Sequence, residues 1–205
     1  MTGYGVLGAG GCGRGILPLV RDDMGIGEDA LFVDDALAGR RINGARTVSL
    51  EEFAALNDRC ICLAVANPVA RRNLEAKCRS AGIEFFTARA GSHFRMDDIQ
   101  IGDGALLSPF TIITSNVQIG RHFHLNLYSH VEHDCRIGDF VTFAPGVRCN
   151  GNVTIGDGAY IGSNAVLRQG VNIGAGATVG MGAVVTRDVP TGETWVGNPA
   201  RPIRR

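Results

Sequence analysis

The chain has 205 residues, with 20 Lys and Arg balanced by 20 Asp and Glu. That balance argues against a polyanion binder or a membrane-surface protein, and no stretch approaches the ~18 consecutive apolar residues of a membrane span, so the expected partner is a small molecule rather than nucleic acid or lipid. Six cysteines (Cys12, Cys60, Cys62, Cys78, Cys135, Cys149) form no CxxC pair, and the N-terminus shows no basic region followed by an unbroken apolar run, a pattern that reads as reduced thiols in the cytoplasm.

In chain order, Tyr4-Gly-Val-Leu7, Ala30-Leu-Phe-Val33 and Cys60-Ile-Cys-Leu-Ala-Val65 are short apolar runs with glycine or acidic punctuation. They predict buried, parallel strands. Gly8-x-Gly10-x-x-Gly13 follows the first of them, and Asp34 stands twenty-one residues beyond Gly13. Taken alone, this satisfies a dinucleotide fingerprint. Fewer than a hundred residues precede the next pattern, however, so a second mononucleotide half is missing. Such a glycine turn also serves any phosphate at a helix N-terminus. Asn67-Pro68 opens a helix that places Leu74, Cys78 and Ala81 on one face, and Ile83-Glu-Phe-Phe86 is the next strand. Residues 1–95 therefore carry a β-α-β grammar.

From Ile99 the text repeats every six residues, giving fifteen uninterrupted hexapeptides that end at Asp188. Every third position is apolar, from Ile101 and Leu107 through Phe143 and Cys149 to Val185. Ile-Gly recurs at 101, 119, 137, 155 and 173, a spacing of eighteen. This predicts a three-sided parallel β-helix with six residues per side and about five coils, the third position pointing inward. Gly102, Gly120, Gly138, Gly156, Gly162, Gly174 and Gly180 follow that position, where a backbone without Cβ turns the corner cheaply. A bare interaction solenoid gains nothing from a His-acid pair, and an ice-binding face calls for a threonine ladder. Neither matches the text.

Of the five histidines, His93, His122, His124, His130 and His133, no two stand five or thirty-six residues apart, which argues against a zinc site on this scaffold. His122, His124 and His130 read as exposed polar residues, with His130 a second candidate for substrate contact. His133 differs, because Glu132 precedes it and Asp134 follows.

The segments Leu7-Gly-Ala-Gly-Gly-Cys-Gly13, Phe32-Val-Asp-Asp35, Ala64-Val-Ala-Asn-Pro-Val-Ala-Arg71, Glu132-His-Asp-Cys-Arg-Ile-Gly138, Cys149-Asn-Gly-Asn152 and Val196-Gly-Asn-Pro-Ala200 together resemble the hexapeptide-repeat acyltransferases, specifically the sugar acetyltransferases of the NeuD/PglD type. The resemblance covers essentially the whole chain. It implies a small Rossmann-like α/β domain at 1–95 that holds a nucleotide sugar, and an all-β left-handed parallel β-helix with a C-terminal cap at 96–205. It also implies a homotrimer with acetyl-CoA in the cleft between neighbouring helices, and acetyl transfer to the amino group of a UDP- or GDP-linked 4-amino-6-deoxy sugar in bacterial surface glycan synthesis, without a metal.

Residue by residue, the resemblance makes His133 the catalytic base and Asp134 its partner. Gly10, Gly11 and Cys12 would face the sugar nucleotide, Asp34 and Asp35 its base or ribose, and Ala66, Asn67 and Arg71 would complete that site. Thr142, Gly151, Ser163 and Met181 would bind coenzyme A. The family often has His where Cys12 sits and Gly where Ala66 sits, which leaves sugar and nucleotide open.

The implied chemistry needs a base, because an ammonium must lose a proton before it attacks a thioester. An imidazole of unperturbed pKa ~6.5 suits that task, and an adjacent carboxylate fixes its tautomer. Counting one coil onward, 133 plus 18 gives Gly151, which should stack on His133 at about 4.8 Å and offer an N–H to the thioester oxygen. No cysteine or serine forms a recognisable nucleophile motif with this base, so transfer should be direct. Two alternatives are a sugar O-acetyltransferase of the sialic-acid type and a non-enzymatic nucleotide-sugar-binding subunit; coenzyme A affinity excludes the latter.

Overall fold

The computed structural model describes residues 3–203. The chain divides into two compact units, Met1–Gly91 with Asp103–Leu106, and Ser92–Gly102 with Leu107–Arg205.

The first unit is a six-stranded sheet built on β1 (Gly3–Leu7), β2 (Ala30–Val33), β3 (Arg41–Ile42), β4 (Ala45–Val48), β5 (Arg59–Leu63) and β6 (Glu84–Phe85), in the order β3-β4-β2-β1-β5-β6. All pairs are parallel except β3 with β4. Successive side chains on a strand face opposite ways, and β1 uses both faces. Val6 joins Ile16, Leu17 and Phe32 in one cluster, while Leu7 joins Phe53, Leu63 and Cys78 in the other. Helix α1 (Gly11–Pro18) contributes to the first cluster, and α2 (Leu50–Ala54) and α3 (Pro68–Ser80) to the second. Both α2 and α3 begin at side-chain caps, Ser49 with Glu52 in a capping box and Asn67 accepting from the Ala70 N–H.

The β3–β4 hairpin was not anticipated, although its signal was present. Asn43-Gly44 sits between the two strands with φ of 47° and 82°, the left-handed pair that a two-residue hairpin turn demands. The chain steps from β1 out to β2 and β4, then returns to the other side of β1 with β5. The carboxyl ends of β1 and β5 thus form the switch point where open α/β sheets bind ligands.

In the second unit, three parallel sheets stack as in a left-handed β-helix. Register is eighteen residues throughout: Ile119 pairs with Ile137, Leu125 with Phe143 and Val131 with Cys149. The coil runs beyond the predicted repeat at both ends. Phe94–Arg95 already pairs with Ile112–Ile113, and Thr194 and Trp195 pair with Thr178 and Val179. Periodicity missed the first of these because Arg95 occupies the position where an apolar residue was expected.

Two features of the hexapeptide differ from the sequence reading. First, two residues in six point inward. The first position is buried as consistently as the third, as in Val117, Phe123, Val141, Val147 and Val153, all 0% exposed. This row is disguised by polar members whose hydroxyls bond the backbone. Thr111 Oγ1 donates to the Ser108 carbonyl at 2.6 Å, and Ser129 Oγ to that of Ala144 at 3.0 Å.

Second, the corner conformation belongs to the sixth position. Asp98, Phe110, Asn116, His122, Tyr128, Asp134, Phe140, Asn152 and Asn164 all have φ between 55° and 60°. The glycines after the third position serve close approach instead. A Cβ on Gly102 would lie 2.6 Å from the Arg121 nitrogen of the next coil.

Of the three outer faces, that of Gln100, Gln118, Arg136, Thr154 and Asn172 is polar and exposed. A second carries Ile112, His130, Arg148, Val166 and Val184, and a third His124, Thr142, Tyr160 and Thr178.

Candidate active site

In the first unit, the turn after β1 enters α1 at Gly10, with no side chain capping the helix. The first-turn amides of a helix have no intrahelical acceptor, so this end suits an anion. Each glycine has a separate reason. Gly8 has φ of 100°, and a Cβ on Gly13 would collide with the Gly8 carbonyl. A Cβ on Gly10 or Gly11 would meet nothing within 4 Å, so no protein contact demands glycine there. Close approach of a ligand would.

Beside this turn lies a cavity of about 250 Å³, lined by Leu7, Val33, Leu50, Val65 and Leu74 with Asp34, Asp35 and Lys77 among its polar groups. The Asp34 carboxylate accepts from the Ala9 N–H at 2.9 Å and the Ala36 N–H at 3.1 Å, and Asp35 Oδ1 accepts from the Leu50 N–H at 2.8 Å. Both acids therefore shape the cavity as well as line it. Lys77, which no sequence pattern singled out, enters from one turn of α3 beyond Leu74. Cys12 is half-buried, with its thiol pKa pushed up by burial, while Ala66 and Asn67 are exposed.

Arg71 lies on the inner side of α3. It is 0% exposed, and its Nη1 donates to the carbonyls of Val65 and Ala66 at 2.8 and 3.1 Å. Burial lowers its pKa to about 9. Arg71 thus braces the loop after β5 from inside.

In the second unit, His133 and Asp134 occupy the corner after the His130–Val131 strand. Asp134 takes the left-handed conformation with φ of 60°, which Asp and Asn tolerate. Its Oδ2 stands 2.8 Å from His133 Nδ1. A neutral ring bonded to a carboxylate in this way carries its proton on Nδ1 and keeps the Nε2 lone pair available. The side chains of His133 and Asp134 are 51% and 52% exposed, so that lone pair can be reached.

The hydrogen bond that His133 Nδ1 donates to Asp134 is the main cause of a raised His133 pKa, with the charges of Asp134 and Glu132 adding to it. The bond to His133 first, and that to Asn116 second, hold the Asp134 carboxyl below its ordinary pKa. Asn116 Nδ2 donates to Asp134 Oδ1 at 3.2 Å from one coil earlier. Asn116 was not anticipated, yet the same count of eighteen finds it, taken backward from Asp134.

Gly151 is where that count put it. A Cβ there would lie 2.6 Å from His133 Cε1 and Nε2, so the imidazole lies directly against this backbone. The Asn152 N–H donates to the His133 carbonyl at 2.8 Å, locking the two corners together. The adjacent thiols, Cys135 and Cys149, are each 0% exposed with Sγ atoms 4.0 Å apart inside the prism.

The remaining sequence candidates fall elsewhere. Ser163 and Met181 stack on another edge of the prism, where the Gly182 N–H bonds the Ser163 carbonyl at 2.8 Å. They do not meet Gly151 within one chain. Thr142, expected to bind coenzyme A, is 2% exposed, between His124 and Tyr160 in its sheet. The histidine reading changes too. His122 and His124 are buried, at 0% and 4%, with His122 stacked on Phe140 at 5.1 Å. His130 is half-buried, and burial pushes its pKa down. Among the described residues, no helix is long and apolar enough to cross a membrane.

Residues 152–187 match the family described as bacterial transferase hexapeptide (six repeats). Over its whole length the chain is 45% identical to GDP-perosamine N-acetyltransferase from Escherichia coli O157:H7, covering 98% of that protein. Among solved structures, WeeI from Acinetobacter baumannii AYE superposes with a TM-score of 0.96 at 44% identity, covering 99% of this chain and 100% of the other. A mutant of GDP-perosamine N-acetyl transferase from Caulobacter crescentus, in complex with CoA and GDP-perosamine, superposes with a TM-score of 0.93 at 26% identity, covering 100% of this chain and 98% of the other. The repeat, the corner at His133 and full-length identity to an acetyltransferase converge: the chain belongs to the hexapeptide-repeat N-acetyltransferases.

Proposed function

We propose that this enzyme transfers the acetyl group of acetyl-CoA to the amino group of a GDP-linked 4-amino-6-deoxy sugar in bacterial surface glycan synthesis. The observation that carries this is His133, held at Nδ1 by Asp134 at 2.8 Å and lying against Gly151, in a chain 45% identical throughout to a GDP-perosamine N-acetyltransferase. The choice of GDP over UDP rests on the names of that relative and of the Caulobacter protein.

In the proposed step, the sugar nitrogen attacks the thioester carbonyl and a C–N bond forms. His133 Nε2 takes the proton the nitrogen loses, and Asp134 stabilises the imidazolium. The negative charge that builds on the carbonyl oxygen meets the Gly151 N–H. The C–S bond then breaks, and the coenzyme A thiolate recovers the proton from the imidazolium. No covalent acyl-enzyme is needed, in keeping with the burial of Cys135 and Cys149.

The first domain holds the nucleotide sugar at the switch point, with phosphates at the start of α1 by Gly10, Gly11 and Cys12, and the base in the cavity of Asp34 and Asp35. Ala66 and Asn67 form the opposite lip, braced by Arg71. The β-helix domain holds acetyl-CoA in a homotrimer, in which an edge carrying Ser163 and Met181 on one protomer adjoins the Gly151 edge of another. The outward Ile112, Val166 and Val184 of one face support such packing. Six free thiols and the use of acetyl-CoA fit a cytoplasmic setting.

Thiol release from acetyl-CoA, measured with GDP- and UDP-linked 4-amino-6-deoxy sugars and their 4-hydroxy counterparts, tests the reading. Turnover should be highest with a GDP-linked amine. Equal release with the hydroxyl sugar would favour O-acetylation, and binding of coenzyme A without release from any substrate would contradict the activity.

A further inference from the structure

Asn116 stands one coil before Asp134, on the same edge of the prism, and belongs to a ladder that alternates acid and amide: Asp98, Asn116, Asp134, Asn152. All four have the left-handed corner conformation, with φ of 58°, 60°, 60° and 56°. All four line one polar groove of about 340 Å³ on the exposed face of the coil, together with Gln100, Gln118 and Arg136. The coil spacing of about 4.8 Å makes each residue the neighbour of the next, so the alternation keeps the two carboxylates about 10 Å apart. Asn116 occupies the gap between them.

Its amide is committed. Nδ2 donates to Asp134 Oδ1 at 3.2 Å, while Oδ2 of the same carboxylate meets His133 Nδ1 at 2.8 Å. A carboxylate on an exposed corner, 52% accessible, has a side-chain rotation to lose. One oxygen bonded from the coil above fixes the plane of the group, and the other oxygen is thereby aimed at the imidazole. We infer that Asn116 is a positioning residue for acetyl transfer, holding Asp134 in the orientation that sets the tautomer and direction of His133. This rests on the reading of His133 as the base.

The charged and titratable groups around the pair are Glu132, His133 and Cys135 on its own corner, Asp98 one coil beyond Asn116, and Arg136 in the groove. Arg136 Nη1 is engaged by Gln118 Oε1 at 2.9 Å. A carboxylate at 116 would therefore add negative charge beside Asp134 with no cation assigned to it. That stabilises the imidazolium and moves the acid limb of kcat/KM to higher pH.

The test is steady-state thiol release from acetyl-CoA with a GDP-linked 4-amino-6-deoxy sugar, using two variants that suit a φ of 60°. Asn116→Gly removes the amide without backbone strain, and Asn116→Asp keeps its shape and adds charge. For Asn116→Gly the expected result is a fall in kcat of about 10-fold, the order of a lost hydrogen bond to a charged group, with little change in KM for acetyl-CoA. In an Asp134→Gly background the same substitution should cost nothing further. Asn116→Asp should shift the acid limb upward.

Wild-type kcat and pH profile for Asn116→Gly, with only a lowered Tm, would overturn the assignment, as would an undiminished effect in the Asp134→Gly background. Should Asn116→Gly fail to fold, Asn116→Asp alone decides, and an acid limb at the wild-type position overturns the inference. Wild-type turnover by His133→Ala is a different failure, that of the base itself.

Discussion

In the proposed role of base, His133 acts only when neutral, so its environment would set the pH at which the enzyme turns on. The bond to Asp134 raises its pKa above the ordinary ~6.5. The acid limb of kcat/KM, where activity climbs as the imidazolium loses its proton, should accordingly lie above that value. Asp134→Asn removes the charge and moves the limb to lower pH while kcat falls. The titration of the substrate amine is common to both enzymes, so the difference between their profiles isolates His133. An unmoved limb would mean that Asp134 does not tune the base. At this scale the sequence was informative where neighbours in the text are neighbours in space, as with His133 and Asp134. It was misleading where a polar residue of the coil is buried, as with His122 and His124, because a six-residue pattern does not report which outward or corner positions become covered.

At the scale of the element, the eighteen-residue period converts sequence separation into contact. It led from His133 to Gly151, and the structure gives that glycine a reason unrelated to turning. Its φ lies outside the left-handed region, whereas a Cβ would stand 2.6 Å from the imidazole. Gly151→Ala should push the ring aside, raising KM for acetyl-CoA, lowering kcat, or both, while light scattering still reports a trimer. Wild-type activity would remove Gly151 from the site, and a monomeric but folded wild-type enzyme would remove the shared cleft. The third-position row was legible because isoleucine and valine repeat there. The first-position row was hidden by Thr111, Ser129 and Cys135, and the sixth-position conformation by Phe110 and Tyr128, residues rarely associated with positive φ. In the first unit the strands were legible as apolar runs, while the Asn43-Gly44 hairpin passed unnoticed among arginines.

For the molecule as a whole, the proposed function distributes two ligand chemistries over two kinds of backbone. Close approach to a phosphate needs a glycine turn at a helix start, which an open α/β sheet provides at its switch point. Aligning a thioester with a base needs corners stacked at a fixed spacing, which a coil provides. Glycine demanded by nothing in the protein at 10 and 11, and glycine demanded by an imidazole at 151, are the two marks of this division. The measurement that tests the central claim most directly is single-substitution kinetics of His133→Ala with acetyl-CoA and a GDP-linked amino sugar. The account predicts an intact fold and a loss of ~10²- to 10⁴-fold in turnover, the usual contribution of a general base. Turnover equal to wild type would contradict it and transfer the role of base to another group, with His130 the first to examine.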